Sequence, residues 1–366
     1  MWKRWVILLV GMLPSLLWAS EGDSIPRRRG FVSKAVNGVA KFIKSFNEVD
    51  TSYIEPQHYK FTTTLMSTYI FETYIIKSKN GHSVTFAPEA KVKFGPYIGW
   101  SFLFWGYTID LAYISANKKK EIDLSVYTSK FGVDFFLRNS GHDYNIRSMD
   151  LGDDVDTDAI NGVPFDGLKV SITGLNAYYI PNHKRFSYPA AFTQSTCQRK
   201  SAGSFMFGGG YTRHTLDFDY GKLKQTVETK LPDLTEKLDS GMMFNSIKYT
   251  DVSLSAGYGY NWVFSKNWLL SVSLSAALGY KHSTGDRWLS DLNILRDFSF
   301  SNISLDGVGR FGLIWNNSKW YFGAYSVVHS YNYKKSQFET NNYFGNVNVY
   351  IGINFGRKKS HAKYGK

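Results

Sequence analysis

From Tyr59 to Phe355 apolar and polar residues alternate with a period of two. In 267–284, Trp268, Leu270, Val272, Leu274, Ala276, Leu278 and Tyr280 share one side, and Ser271, Ser273, Ser275 and Gly279 mostly fill the other. In 246–262, Val252, Leu254, Ala256, Tyr258, Tyr260 and Trp262 oppose Ser253, Ser255, Gly257, Gly259 and Asn261. Side chains of a strand alternate between its two faces, so these are strands with one apolar side. A soluble β-sandwich would pack that side on a second sheet. Here the apolar side is edged with aromatics, and the opposite side is too small and polar to build a dry core. It suits a wet lumen, the apolar-out, polar-in pattern of a membrane barrel.

The N-terminus supports export. Met1-Trp2-Lys3-Arg4 is basic, Trp5 to Trp18 is almost wholly apolar, and Ala19 and Ser20 are small. The apolar run is shorter than the ~20 residues of a spanning helix, so 1–20 reads as a signal peptide cleaved near Ala19 or Ser20. No later stretch is long enough for a spanning helix. Aromatic residues at 17% and 32 glycines against 9 prolines suit barrel strands better than an ordinary soluble core. Cys197 is the single cysteine, so no internal disulfide forms. The net charge of +13 is scattered over Arg27-Arg28-Arg29, Lys118-Lys119-Lys120 and Arg357-Lys358-Lys359. That scatter and export argue against nucleic acid, and favour anionic lipid headgroups or lipopolysaccharide phosphates as partners.

Residues 21–58 read as a periplasmic lead-in. Within it, 31–46 has helical spacing, with Phe31, Ala35, Val39, Phe42, Ile43 and Phe46 on one side and Lys34, Lys41 and Lys44 elsewhere. The barrel is expected over 59–356, with 357–366 a basic tail. In the last strand Val347, Val349, Ile351, Ile353 and Phe355 alternate with Asn348, Tyr350, Gly352 and Asn354. This is similar to the terminal strand that outer-membrane barrels present to their assembly machinery, although here a tail follows. Long polar gaps at 138–166, 219–244 and 285–296 should open on one side. Counting back from the C-terminus predicts strands over 342–355, 319–335, 297–315, 267–284, 245–263, 199–218, 167–180, 120–137, 103–115, 90–100, 82–88 and 60–77. The expected fold is therefore an all-β, antiparallel, up-and-down transmembrane barrel of about twelve strands, with ten as the alternative, and monomeric. Twelve requires a hairpin at Pro88-Glu89, and leaves 181–198 as a long periplasmic connection.

Two stretches carry a family resemblance. The first runs Asp50-Thr51-Ser52-Tyr53-Ile54-Glu55-Pro56-Gln57-His58-Tyr59; the second is Phe186-Ser187-Tyr188-Pro189-Ala190-Ala191-Phe192 with Gln198-Arg199-Lys200-Ser201-Ala202-Gly203-Ser204. With the strand spacing they resemble the uncharacterised family called domain of unknown function 4421, over about 45–355. The resemblance implies an outer-membrane barrel and supplies no functional residue. From the residues themselves, Asp50, Thr51, Tyr53, Pro56 and Tyr59 form a turn-rich lead-in, with Tyr53 and Tyr59 suited to headgroup depth. Gln194, Gln198, Lys200, Ser201 and Ser204 are candidates for a lumenal or periplasmic site, because the small residues around them allow close backbone approach. The structural alternative is that 186–204 packs against the 31–46 helix as a plug.

Chemistry is sparse. His282-Ser283, and His214 with Thr212 or Thr215, are the close pairings a lipid hydrolase would need, yet adjacent strand residues face opposite sides. Asp153, Asp154, Asp156, Asp158 and Asp166 have partial Ca²⁺-loop spacing, with Ala159 where glycine is wanted and Phe165 where glutamate is wanted. No transition-metal spacing and no phosphate-binding glycine motif occurs, and Gly208-Gly209-Gly210 reads as a place where the wall bends or an inner element approaches. The expected function is a non-enzymatic narrow or plugged pore, or an envelope- or lipid-interacting structural protein, with no cofactor; a phospholipase-like hydrolase on the same barrel is the alternative.

Overall fold

The computed structural model describes residues 49–100, 103–106, 109–110, 120–141, 143–152, 155–283, 302–334 and 338–358. The expected signal peptide 1–20 and the 31–46 helix lie outside the described residues. Among the described residues no helix is long and apolar enough to cross a membrane.

The strands are β1 (Ile54–Pro56), β2 (Tyr59–Ser78), β3 (Ser83–Pro88), β4 (Lys91–Trp100), β5 (Leu103–Gly106), β6 (Ile109–Asp110), β7 (Lys120–Tyr127) and β8 (Phe131–Asn139). There follow β9 (Tyr144–Asp150), β10 (Pro164–Phe165), β11 (Leu168–Tyr179), helix α1 (Tyr188–Phe192), β12 (Thr196–Gln198) and β13 (Ala202–Phe218). Helix α2 (Tyr220–Lys230) precedes β14 (Ser246–Ser265), β15 (Trp268–Ser283), β16 (Ile303–Asn316), β17 (Trp320–Lys334) and β18 (Phe338–Arg357). From β13 to β18 neighbours in sequence are antiparallel neighbours in the sheet. The last strand, β18, pairs with β2 from Phe338↔Ser78 to Arg357↔Tyr59. The sheet curls around an interior, since side chains of strands far apart in its order meet there: Phe136 of β8 and Phe344 of β18 at 5.5 Å, and Tyr74 of β2 and His214 of β13 at 6.0 Å between ring centres. β7 and the β5–β6 segment stand at two ends of the strand order. Residues 111–119, which join them in the chain, lie outside the described residues.

Among the described residues the wall has twelve passes, but two of them differ from expectation. The segment 82–100 is not a hairpin at Pro88-Glu89. Both β3 and β4 run antiparallel to β2, with Tyr74↔Phe86 and Ile70↔Lys91, so four steps along β2 face five along its partner. This is one strand with a bulge, and Pro88 is tolerated beside it. The segment 120–137, conversely, is not one strand. β7 and β8 pair from Lys120↔Asn139 to Tyr127↔Gly132, and the turn is held by Thr128, whose N–H and hydroxyl both donate to the Phe131 carbonyl, at 2.8 and 2.9 Å. The two departures cancel, so the parity survives. The segment 138–166 also departs from a plain polar loop, because β9 pairs with β3 and β10 with β9.

The alternation sorts residues as expected on the outward face and differently within. Outward, Leu254 is 78%, Leu278 64% and Phe205 62% exposed. Inward, the small-residue face meets inserted apolar side chains at both ends, with buried polar and charged side chains between them. At the end bearing the long loops, Leu223 and Val227 of α2 with Ile160, Phe165 and Met242 join Tyr74, Phe86 and Phe218 of the wall in one buried cluster. At the end bearing Tyr59 and Arg357, the connection 180–198 turns inward and builds a second. A face of Ser and Gly cannot form a core alone, but it leaves room for inserted aromatic side chains.

Candidate functional site

The second cluster fills the end of the interior that bears Tyr59 and Arg357. Ser187 caps the short helix α1 by accepting the Ala190 N–H at 3.2 Å, and Pro189 supplies a preset φ in its first turn. Phe186, Tyr188, Ala190, Ala191 and Phe192 are buried. Tyr188 lies 5.0 to 5.8 Å from the rings of Tyr127, Tyr178, Phe186 and Phe192, and its hydroxyl meets Ser273 Oγ at 2.6 Å. Burying each such ring is worth roughly 1.5–3 kcal/mol. Gly259 of the wall permits the approach: a Cβ there would lie 2.8 Å from Phe186 Cζ.

Polar side chains fasten the inserted segment. Gln198 Nε2 donates to the carbonyls of Arg185 and Lys200, at 2.6 and 2.9 Å. Its Oε1 accepts the Ser187 N–H at 2.9 Å and Asn261 Nδ2 at 3.0 Å, which satisfies a buried amide. Gln194 Nε2 donates to Ala191 O at 3.0 Å and to the Tyr350 hydroxyl at 2.7 Å.

Beside it sits a charged pair. β1 pairs with β12 from Ile54↔Gln198 to Pro56↔Thr196, bringing Glu55 beside Arg199. Arg199 Nε donates to Glu55 Oε2 at 2.5 Å and its Nη2 pairs with the same oxygen. Nη1 donates to Asn267 Oδ1 at 2.6 Å and Nη2 to Ser318 Oγ at 3.1 Å. Glu55 Oε1 accepts Ser318 Oγ–H at 2.6 Å and lies 2.8 Å from His58 Nε2. Burial pushes the Glu55 carboxyl up, but the hydrogen bonds from Ser318 and Arg199 outweigh it and hold it below the usual carboxylate range. Cys197, 3.6 Å from Ser318 Oγ, has its thiol pushed up to about 11 by burial. Among the described residues Gln194, Asn267 and Ser318 are the non-glycine positions in the left-handed region, with φ of 54°, 68° and 75°. Gln194 lies within the inserted segment and Asn267 and Ser318 contact Arg199, and such conformations cost about 1–3 kcal/mol where the surroundings enforce them.

Between the two apolar clusters the interior carries buried charges. Arg310 Nη2 donates to Asp134 Oδ2 at 2.5 Å, and Lys281 Nζ donates to Asp306 Oδ1 at 3.0 Å while lying 4.0 Å from Asp251. Beside these pairs a cavity of about 40 Å³ is lined by Asn176, Ser253, Ser275, Asp306, Arg310 and Tyr331 among others.

The two groups of residues singled out from the sequence meet. Asp50 accepts the Ser52 N–H at 3.0 Å and lies 3.7 Å from Arg185 Nε. Tyr53 has the Arg185 guanidinium 5.1 Å and the Lys200 ammonium 5.4 Å from its ring centre. Pro56 lies in the β1–β12 ladder, Tyr59 opens β2, and Thr51 stays exposed in the turn. Ser201 Oγ accepts the Val263 N–H at 2.9 Å and Ser204 Oγ the Asn182 N–H at 3.1 Å. The described partners of 186–204 are thus the lead-in and the inner wall. Glu55 and Arg199 were missed as a pair, although each stands in one of the two family-like runs with opposite charge. Nothing in the sequence marks Asn267 and Ser318 beyond their turn-forming type.

The other candidates do not assemble. His214 is buried inside, with Nδ1 taken by the Tyr249 hydroxyl; Thr212 is buried on the same side of its strand, and Thr215 is on the opposite face. His282 pairs with Thr250 on the outward side. Asp156 accepts the Asp158 N–H at 3.0 Å, Asp158 accepts Asn161 Nδ2 at 3.0 Å, and Asp166 pairs with Lys222 at 2.7 Å. Asp153 and Asp154 lie outside the described residues. Gly208 and Gly210 face wall atoms, Ala177 O and Asn176 Oδ1, and the inner element approaches at Gly259 instead.

No curated protein matches the chain in sequence. Among solved structures it is similar to the outer membrane protease OmpT from Escherichia coli, at 9% identity and a TM-score of 0.33, over 81% of this chain and 97% of that one. It is also similar to the outer membrane protein OprG from Pseudomonas aeruginosa, at 11% and 0.23 over 82% and 98%. A third is the Pseudomonas putida toluene transporter TodX, at 8% and 0.21 over 82% and 91%. At these scores the likeness carries no argument about role. The family described as a domain of unknown function (DUF4421) matches residues 48–355, and the chain belongs to it.

Proposed function

We propose that this protein is a non-enzymatic pore of a Gram-negative outer membrane that rests closed, with 180–199 as its stopper and the Glu55–Arg199 pair as the latch. The observation that carries this reading is the set of buried charged pairs lying between two buried apolar clusters. Replacing buried ion pairs with well-packed apolar residues is often neutral or stabilising, so packing alone gives no reason for Asp134, Arg310, Lys281 and Asp306 to face the interior. A polar path that becomes wet when the stopper leaves gives one. Membrane placement is supported by the outward run Val252, Leu254, Ala256, Tyr258, Tyr260 and Trp262, about as long as the ~9–11 residues a tilted strand needs. Export through cleavage near Ala19 or Ser20 and a monomeric state complete the proposal.

The test is reconstitution of the mature chain in planar bilayers. Wild type should be silent or nearly so, and a chain in which 183–197 and the loop-end segment 220–243 are each replaced by a short Gly-Ser linker should conduct steadily. A wide-open wild type, or a linker variant that folds with the gel mobility of a barrel and stays silent, refutes the stoppered pore.

A further inference from the structure

We infer that the outer wall carries a binding site for the phosphorylated headgroup of a membrane lipid in the leaflet at the loop end. The inference rests on the membrane placement just proposed. On the outward face, β11, β13 and β14 enclose a groove of about 430 Å³ lined by Lys169, Ser171, Thr173, Arg213, Thr215 and Lys248, together with Asn139 and Asp217. The register stacks these residues in three tiers. Lys169 pairs with Asp217, Ser171 with Thr215, and Thr173 with Arg213; across the next ladder Thr215 pairs with Lys248 and Arg213 with Thr250. Successive tiers are roughly 7 Å apart along the strands, so three cations climb the groove as a staircase beside hydroxyls. Arg213 and Lys248 are exposed and Lys169 half-exposed. The opposing carboxylate of Asp217 is engaged by the Ser246 hydroxyl at 2.6 Å.

The groove ends where the apolar face begins. One tier nearer the termini than Arg213 lie Tyr211, Leu175 and Val252 in register, followed by Leu254; all four are exposed. A lipid with its chains along Leu175, Val252 and Leu254 places its phosphate against Arg213, with Lys248 and Lys169 above to meet further anionic groups. Arginine offers a planar fork to phosphate and lysine a point charge, and ring hydroxyl and headgroup share the same depth at Tyr211. A free anion would have no use for the apolar continuation, so the lipid is the occupant.

The experiment uses the full mature chain in phosphatidylcholine vesicles doped with phosphatidic acid, extracted gently and weighed by native mass spectrometry to count retained lipids. Wild type should retain phosphatidic acid over phosphatidylcholine. The Lys169→Ala/Arg213→Ala/Lys248→Ala variant should lose at least about tenfold of that preference, while Lys266→Ala/Lys319→Ala/Arg357→Ala keeps it. Arg213→Ala alone should give a smaller loss, and Arg213→Lys should restore part of it. Unchanged retention in the vesicle-embedded triple variant overturns the site alone. Displacement by millimolar inorganic phosphate as effective as by phosphatidic acid overturns the lipid as occupant. A wild-type chain that does not enter vesicles overturns the membrane placement and this site with it.

Discussion

Replacing Arg199 with Ala removes the latch while leaving the stopper's aromatic packing in place. The guanidinium makes two contacts to Glu55, one to Asn267 Oδ1 and one to Ser318 Oγ. Hydrogen bonds to charged groups are worth about 1.5–3 kcal/mol when buried and far less at the surface. Arg199 and Glu55 are 28% and 27% exposed, so the whole loss should be near 2 kcal/mol. If opening requires the latch to break, the open fraction of the pore rises about 30-fold. Single-channel recording in planar bilayers reads this directly on a chain whose loop-end segment 220–243 is a short Gly-Ser linker, the background for every conductance measurement. Glu55→Gln should give part of the rise, and the double variant should be less than additive, because each change removes the same pair. The acid response follows the same logic: Glu55 is held below its unfolded value, so its contribution is present above that value and lost as pH falls through the folded one. The unsubstituted latch should therefore open more readily as the solution is acidified below the ordinary glutamate range, and Glu55→Gln should show no such step. A folded Arg199→Ala protein with unchanged open probability, and additive effects of the two substitutions, would refute the latch.

Gly259→Ala places a methyl 2.8 Å from Phe186 Cζ; overpacking of about 1–3 kcal/mol against the stopper should raise conductance while strand content by circular dichroism is kept. Leu254→Arg puts a charge on the most exposed large apolar side chain among the described residues, 78% exposed, and unfolding titrations in vesicles should show a loss of about 2–4 kcal/mol. Cys197 is buried and its thiol is pushed up to about 11, so a maleimide at neutral pH should label it slowly in wild type and readily in Arg199→Ala. Equal labelling rates would place Cys197 outside the latched region.

Elements governed by neighbouring residues were legible from the chain, and those governed by distant pairing were not. The alternation of Val252 to Trp262 and of Val347 to Phe355 is local, so strand identity and facing could be read there. Pro88-Glu89 looked like a hairpin because proline commonly marks turns, yet β2 supplies partners on both sides of it. The turn at Thr128 was overlooked because the apolar alternation continues through both β7 and β8.

The sequence by itself determined an antiparallel all-β wall with an apolar outward face, because strand periodicity and turn chemistry act over a few residues. Only the tertiary structure decided what fills the inside. Whether a Ser- and Gly-lined face stays wet depends on what is inserted against it, and Phe186 and Tyr188 reach Gly259 and Ser273 across some 75 to 85 positions of chain. The Glu55–Arg199 latch depends likewise on β1 finding β12. No local pattern encodes such a meeting, since it forms when the wall curls and brings both segments to one end.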